Sequence, residues 1–237
     1  GTVEFKNVSF RYPHASEDEL SNISFKINKG QTLAIIGATG SGKTTLISLI
    51  PRFYDVRQGE VLVDGVDVKE YPFSQLRGMI GIVPQKAVLF KGTIRHNMQW
   101  RDKNATDEDI WNALDIAQAK DFVEKKPDKL DEMILQEGKN VSGGQRQRLT
   151  IARALVGDPE ILILDDSASA LDLATDARLR KAIHEKTSGM TVFIVSQRIS
   201  SIKSADKIIV LDDGKIAGIG THLELYNGCE VYKEICL

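Results

Sequence analysis

A glycine-rich run near the N-terminus has the residue types and the spacing that hold phosphate groups. The run follows an apolar stretch and matches the G-x-x-x-x-G-K-[ST] pattern. Glycines let backbone N–H groups turn towards anionic oxygens, and the helix that follows presents its positive dipole end. Lys43 is placed to reach the β- and γ-phosphates, and Thr44 is placed to ligate Mg²⁺. The run therefore predicts a nucleoside triphosphate site formed by Gly37, Ala38, Thr39, Gly40, Ser41, Gly42, Lys43, Thr44 and Thr45.

Two later segments carry residues suited to the same ligand. Residues 161–164 are a continuous apolar run that ends at Asp165, as expected of a buried parallel strand whose carboxyl end enters a site. Asp165 is therefore predicted to serve Mg²⁺. Ser142, followed by two glycines, is predicted to cap a helix and to give a second anion-binding helix start. Two such starts would crowd one phosphate within a single chain, and a γ-phosphate bound between two chains resolves this.

The elements that position these residues follow from hydrophobic patterns. Strands are predicted at 3–10, 24–27, 32–36, 60–63, 80–83, 161–164, 191–195 and 207–211. From Thr106, a predicted cap, the pattern becomes helical, and further helices are predicted at 173–186 and 199–205. We therefore expect an antiparallel layer beside a parallel core. The core should comprise residues 1–85 and 156–237, with an inserted helical subdomain over about 86–155.

Composition limits the partners and the class of the chain. The 33 acidic and 31 basic residues nearly cancel, so no polybasic field favours nucleic acid, and we expect none as a partner. No apolar stretch approaches the roughly 20 residues of a bilayer span, and we expect the chain itself to be cytosolic. Cys229 and Cys236 lack the companions of a disulfide framework or a zinc site. The abrupt start at Gly1 is interpreted as a fragment of a longer polypeptide or a subunit trimmed to this domain.

At these motifs the sequence resembles the nucleotide-binding domain of ATP-binding-cassette (ABC) transporters, over essentially all of its length. The resemblance implies an α/β fold of the P-loop NTPase (RecA-like) type, with a parallel-sheet core, an antiparallel β subdomain and an inserted α-helical subdomain. It implies that Tyr12 stacks on adenine and that Gln85 contacts Mg²⁺ and the coupling interface. The segment ending at Asp172 would cross to the partner. Residues that would complete the partner's site are Ser142, Gly143, Gly144 and Gln145.

The same resemblance implies ATP and Mg²⁺ as ligands and a place at the cytoplasmic face of a membrane. The partners would be a second nucleotide-binding domain and the transmembrane domains of the transporter. Four segments look like an exporter-type cassette: 51–55, 59–65, 89–97 and 220–222. Within the last two, His96 and His222 need no chemical role, because no second ligand accompanies either at metal spacing. Gln136 stands where an acid is common in exporters, so this loop departs from the family pattern.

Two positions depart from the family pattern in the catalytic site. Asp166 stands where the family has a glutamate that polarises the attacking water, and its carboxylate is one methylene shorter. A displacement of ~1 Å at a positioning group can cost on the order of a hundredfold in rate. Gln197 stands where the family has a histidine that contacts the γ-phosphate; glutamine can donate a hydrogen bond but cannot become cationic. Lys43, Asp166 and Gln197 are thus the candidate catalytic residues of a weakened ATPase site.

The signature segment, residues 142–145, keeps the family pattern, whereas the catalytic site of the same chain is weakened. This combination predicts one half of a heterodimeric exporter. Three alternatives remain. A homodimeric exporter would have two sites that are slow but functional; a second cassette with glutamate and histidine at these positions and a damaged signature would favour the heterodimer instead. A cassette ATPase acting on DNA or ribosomes would carry a long inserted coiled coil or a second cassette, and neither is present in this sequence. A purely regulatory nucleotide-binding module would show no turnover with its native partner.

Overall fold

The computed structural model describes residues 1–237. Its strands are β1 (Val3–Phe10), β2 (Leu20–Ile27), β3 (Thr32–Gly37), β4 (Gln58–Val63), β5 (Val66–Asp67), β6 (Ile80–Val83), β7 (Gly92–Thr93), β8 (Met133–Ile134), β9 (Ile161–Asp165), β10 (Thr191–Val195), β11 (Lys207–Asp212) and β12 (Lys215–Gly220). Its helices are α1 (Lys43–Ser48), α2 (Phe73–Gly78), α3 (Ile94–Met98), α4 (Asp107–Ile116), α5 (Lys120–Glu124), α6 (Gly143–Leu155), α7 (Leu173–Lys186), α8 (Ile199–Ile202), α9 (His222–Gly228) and α10 (Glu230–Cys236).

The chain divides into two compact units. The first comprises Gly1–Ile80 and Gly189–Leu237, and the second comprises Gly81–Ser188. The helical stretch predicted at 86–155 lies in the second unit, together with β9 and α7. No helix combines the length and the apolar composition that a bilayer span requires, and the longest, α7, has 14 residues.

Two sheets build the first unit. One is antiparallel, in the order β2-β1-β4-β5. In it Phe5 of β1 lies opposite Phe25 of β2, and the two rings stack with their centroids 4.6 Å apart. In the other, β12, β11, β3 and β10 are neighbours in that order, and β3 runs parallel to both β11 and β10. The expected antiparallel layer and parallel core are both confirmed.

The central strand β3 is buried because helices cover the sheet of the first unit. Apolar side chains of β3 and β11, among them Ile36 and Val210, pack with Leu225 of α9 and Tyr232 of α10. The Tyr232 hydroxyl lies 2.7 Å from His222 Nδ1, so His222 has a structural partner. Desolvation by burial raises the pKa of Tyr232 to about 12, with the neighbouring Cys236 adding to the effect.

The second unit is mainly helical. Thr106 caps α4 as predicted: its side chain accepts from the Asp109 N–H, and the Asp109 carboxylate accepts from the Thr106 N–H. The apolar face of α4 is buried, as its 3.6-residue period predicts. In the same unit β9 lies beside β6, and the short strands β7 and β8 pair with each other. Every residue of β9 is buried, in agreement with its continuous apolar sequence.

Candidate functional site

The glycine-rich run forms a loop between β3 and α1, as its sequence predicts. Gly42, the residue before α1, has φ 104°, a left-handed conformation that L side chains rarely adopt. At Gly37 an added Cβ would collide with the Leu211 carbonyl oxygen and with Ser41 Oγ. The loop therefore needs glycine at both positions, one for its backbone conformation and one for close approach.

Lys43 and Gln197 converge on one carbonyl group of this loop. Lys43 Nζ donates to the Gly37 carbonyl oxygen at 2.5 Å and to the Ala38 carbonyl oxygen at 3.0 Å. Gln197 Nε2 donates to the same Gly37 oxygen at 3.3 Å. The structure thus brings together an ammonium and an amide that the sequence places 154 residues apart. Both are hydrogen-bond donors, which is the chemistry that an anionic oxygen requires.

The loop also contains a polar atom that fits an added anion. The Ser41 hydroxyl is buried and has no hydrogen-bond partner, and an unsatisfied buried hydroxyl costs free energy. A phosphate oxygen would supply an acceptor. Together with the Lys43 ammonium and the left-handed glycines, this orphaned hydroxyl makes the loop a suitable cradle for phosphate groups.

Tyr12 is joined to the helix that follows the loop. Its hydroxyl lies 2.5 Å from Thr45 Oγ1. Its half-buried ring makes edge contacts with the rings of Phe10 and Tyr54. Thr44, the neighbour of Thr45, is exposed. No sequence pattern indicated the contacts with Tyr54 and Thr45, because both depend on how distant segments pack.

The carboxylates predicted for Mg²⁺ binding, Asp165, and for catalysis, Asp166, lie at the end of β9 and directly after it in the second unit. Asp165 is 7% exposed, whereas Asp166 is half-buried. Asp166 has φ 50°, in the left-handed region that a residue with a side chain enters only at a cost of about 1–3 kcal/mol. Gln85, two residues after β6, is exposed.

The signature segment begins α6 with a complete capping box. Ser142 Oγ accepts from the Gln145 N–H at 3.1 Å, and Gln145 Oε1 accepts from the Ser142 N–H at 3.2 Å. The predicted N-cap is therefore confirmed. Ser142 and Gly143 are exposed, while Gly144 packs against Ala170, where an added Cβ would lie 3.4 Å from the carbonyl oxygen.

A glutamine that the sequence analysis missed links α6 to the loop after β9. The Gln147 side chain is 5% exposed. Its Oε1 accepts from the Ala170 N–H at 3.0 Å, and its Nε2 donates to Ser169 Oγ at 3.4 Å. The only sequence signal was a polar residue on the buried face of a helix. The signature segment and the segment that ends at Asp172 are thus held together within this unit.

Asp172 caps the next helix, α7. Its carboxylate accepts from the Thr175 N–H at 2.7 Å and from the Thr175 hydroxyl at 3.0 Å. These bonds, with a smaller contribution from Arg178, hold the pKa of Asp172 below its ordinary value of 3.8. Asp172 therefore has a structural function as a charged cap, and its predicted contact with a partner stays a prediction.

Nothing in the chain forms a metal centre by itself: no group of three or more His, Cys, Asp or Glu side chains could hold an ion. The hydroxyl of Thr44 and the carboxylate of Asp165 are oxygen donors of the kind that Mg²⁺ prefers. Since Mg²⁺ is usually bound by one or two carboxylates together with substrate phosphates, each of these donors suits an ion that arrives with a nucleotide.

Comparisons with known proteins agree with these motifs. The family model described as "ABC transporter" matches residues 20–169. The chain is 46% identical to the "Uncharacterized ABC transporter ATP-binding protein YfiB" of Bacillus subtilis (strain 168), over 99% of this chain and 41% of that protein. It is 42% identical to the "ATP-dependent lipid A-core flippase" of Photobacterium profundum, over 99% of this chain and 40% of that protein.

A solved structure is similar over the whole chain. It is described as "Structure of a bacterial Atm1-family ABC exporter with ATP bound", and it matches with a TM-score of 0.94 and 36% identity. The match covers 99% of this chain and 41% of that one. The chain thus spans about two fifths of the length of its relatives. The mixed α/β fold expected from the sequence is confirmed by this likeness.

Proposed function

This chain belongs to the ABC transporter family, and on that premise we propose that it binds and hydrolyses Mg-ATP to drive export of a substrate across a membrane. We propose further that it is the half of a heterodimeric exporter that carries a weakened catalytic site. It would work at the cytoplasmic face, joined to transmembrane domains and paired with a second, different cassette. The names of the related flippase and of the ATP-bound exporter support export as the direction of transport.

The observation that carries the proposal is the convergence of Lys43 and Gln197 on the Gly37 carbonyl. In that position the Lys43 ammonium would compensate the charge of the β- and γ-phosphates. Gln197 would donate one neutral hydrogen bond to the γ-phosphate. A neutral amide stabilises developing charge less than a cation does and cannot shuttle a proton. The phosphate loop would therefore bind ATP well, while the site would assist its cleavage poorly.

The remaining candidate site residues would have the following roles. Thr44, Gln85 and Asp165 would hold Mg²⁺, which when bound supplies charge neutralisation at the phosphates. Asp166 would hold the attacking water, with a carboxylate one methylene short of the family's glutamate. The exposed Ser142 and Gly143 would present the α6 start to the γ-phosphate bound by the partner cassette.

The proposal is tested by measuring binding and turnover separately. Isothermal titration of the purified chain with Mg-ATP should show binding, and phosphate release by the same sample should be slow. Addition of the native partner should raise turnover, mainly at the partner's phosphate loop. Brisk turnover by this chain alone would contradict the weakened site. Equal turnover at both loops of the assembled transporter would instead favour a homodimer-like mechanism.

A further inference from the structure

A hydrogen bond connects the proposed base-binding residue to the phosphate-binding helix. The Tyr12 hydroxyl and Thr45 Oγ1 are 2.5 Å apart, although they come from segments 33 residues apart in sequence. Thr45 lies in α1, is 5% exposed, and directly follows the proposed Mg²⁺ ligand Thr44. A buried hydroxyl at this position needs a partner, and the tyrosine supplies it.

Two other aromatic rings, those of Phe10 and Tyr54, also contact the Tyr12 ring. Its centroid lies 4.8 Å from that of Phe10 and 5.3 Å from that of Tyr54, with interplanar angles of 84° and 88°. Both are edge-to-face contacts, an arrangement that aromatic rings favour. Phe10 is buried, so it gives the ring a fixed support. The hydroxyl bond then fixes the far end of the side chain.

The backbone around Tyr12 is restrained too. The preceding residue, Arg11, and the distant Arg57 both pair with Asp18, at 3.0 and 2.5 Å. The Tyr12 carbonyl accepts from the Ala15 N–H at 3.1 Å, which closes a turn. The segment that carries the ring is thus tied to the same unit as the phosphate loop by several independent contacts.

We propose that Thr45 is a positioning residue that fixes the Tyr12 ring as a preformed stacking surface for the nucleotide base. This inference rests on the proposed function. Ordering a free side chain at a binding site lowers affinity, and a ring that is already ordered avoids that loss. The Tyr12–Thr45 bond therefore adds to the affinity for ATP through the base, and it adds nothing to the affinity for a phosphate chain that lacks a base.

The test compares two ligands, Mg-ATP and Mg-tripolyphosphate, by isothermal titration of the purified chain. Tyr12→Phe keeps the ring and removes the hydroxyl. We expect it to weaken Mg-ATP binding about three- to tenfold and to leave tripolyphosphate binding within about twofold. The matched control is Tyr71→Phe, since the Tyr71 hydroxyl donates to the Val63 carbonyl at 2.9 Å in the same unit. The control should change neither affinity.

Variants of Thr45 test the Tyr12–Thr45 hydrogen bond directly. Thr45 also belongs to the predicted phosphate-binding run, so Thr45→Val alone is expected to weaken both ligands. In that background, however, Tyr12→Phe should have no further effect on Mg-ATP affinity, because the bond is already lost. Thr45→Ser retains a hydroxyl, so in that background Tyr12→Phe should again weaken Mg-ATP binding.

The outcomes separate this inference from the proposed function. If the wild-type chain does not bind Mg-ATP, the proposed function and this inference are both overturned. If it binds Mg-ATP but Tyr12→Phe leaves the affinity unchanged, or weakens tripolyphosphate equally, the inference alone is overturned. Additive effects of Tyr12→Phe and Thr45→Val would overturn it as well, since two changes to one bond must not add.

Discussion

Helices α1 and α6 both begin beside glycines, and the start of each is predicted to contact phosphate. Their first turns are nevertheless formed in different ways. Before α1, Gly42 has φ 104°, and no side chain caps the helix. Before α6, Ser142 has φ −66° and forms a capping box with Gln145. The first start depends on backbone groups that only glycine can place, whereas the second is already a complete helix cap.

The two starts share one property that the capped start of α4 lacks. Neither has an acidic residue in its first turn, whereas α4 begins with Asp107, Glu108 and Asp109. Acids at a helix start neutralise the positive end of the helix dipole. A capping box and an anion site are therefore compatible in one helix start, provided that the chain supplies no negative charge of its own there.

The start of α1 should be the more sensitive of the two to a single substitution. Lys43→Ala removes the ammonium that lies against the Gly37 and Ala38 carbonyls. We expect Mg-ATP affinity, measured by isothermal titration, to fall about a hundredfold, because a charged hydrogen bond to the phosphates is lost. The matched control is Lys6→Ala, at an exposed lysine of β1. Unchanged affinity in Lys43→Ala would show that the α1 start is not a phosphate site.

Substitutions at the start of α6 should lower ATP turnover, with little effect on Mg-ATP binding at the phosphate loop of the same chain. Ser142→Arg or Gly143→Asp places bulk or negative charge where the partner's γ-phosphate is proposed to lie. In the assembled transporter we expect ATP turnover to fall roughly a hundredfold, with Mg-ATP affinity at the Lys43 loop nearly unchanged. Turnover and affinity are measured on the same preparation.

The control for this prediction is Thr106→Arg, which destroys the capping box of α4 in the same unit. Loss of either cap costs about 1 kcal/mol of stability, so the two variants should have similar melting temperatures. If Thr106→Arg reduces turnover as much as Ser142→Arg, the signature segment is only a helix cap.

A smaller effect, an increase in ATP turnover, is expected when the two catalytic-site residues that depart from the family pattern are replaced by the family's residues. Asp166→Glu together with Gln197→His should raise phosphate release at this loop, by about tenfold. The gain should exceed the product of the two single effects, because both groups act on one transition state. Phosphate release is measured with a partner whose signature is intact. A double variant no faster than the wild type would place the limitation elsewhere.

A still smaller effect is expected at Asp172, a helix cap with a structural role, in contrast to the start of α6. Asp172→Ala should lower the melting temperature at neutral pH, since the carboxylate caps α7. The pKa of Asp172 is lowered in the folded chain, so its stabilisation is present above the ordinary value of 3.8 and is lost as the pH falls through the lowered value. The difference between variant and wild type in thermal melts should therefore shrink below about pH 4. A constant difference would show that the charge of Asp172 is not involved.

Several elements were predictable because local chemistry decides them. The strands β1, β6 and β10 and the helix α7 have the bounds that their patterns predict, and the caps Thr106 and Ser142 form as expected. In each case the period of apolar residues or the capping side chain lies within a few residues of the element. The phosphate loop is of the same kind, since its glycines and lysine act on neighbouring backbone groups.

Other elements were missed because their sequences are weak signals. The strand β12 contains Gly218 and Gly220 and forms the edge of its sheet, so its propensity is low. The turn before it, at Asp213 and Gly214, has positive φ at both residues, a typical hairpin geometry. Helices α9 and α10, which cover the sheet with Tyr232, also had no strong pattern.

The phosphate loop, the signature cap and the shortened carboxylate at Asp166 could be identified without coordinates, because they depend on residue type and short spacing. Which distant groups share a hydrogen bond became known only from the folded chain. Its packing joins Lys43 with Gln197 on one carbonyl, Tyr12 with Thr45, and Gln147 with Ala170. Such pairings are set by the packing of sheets and helices over the whole chain, and no local pattern encodes them.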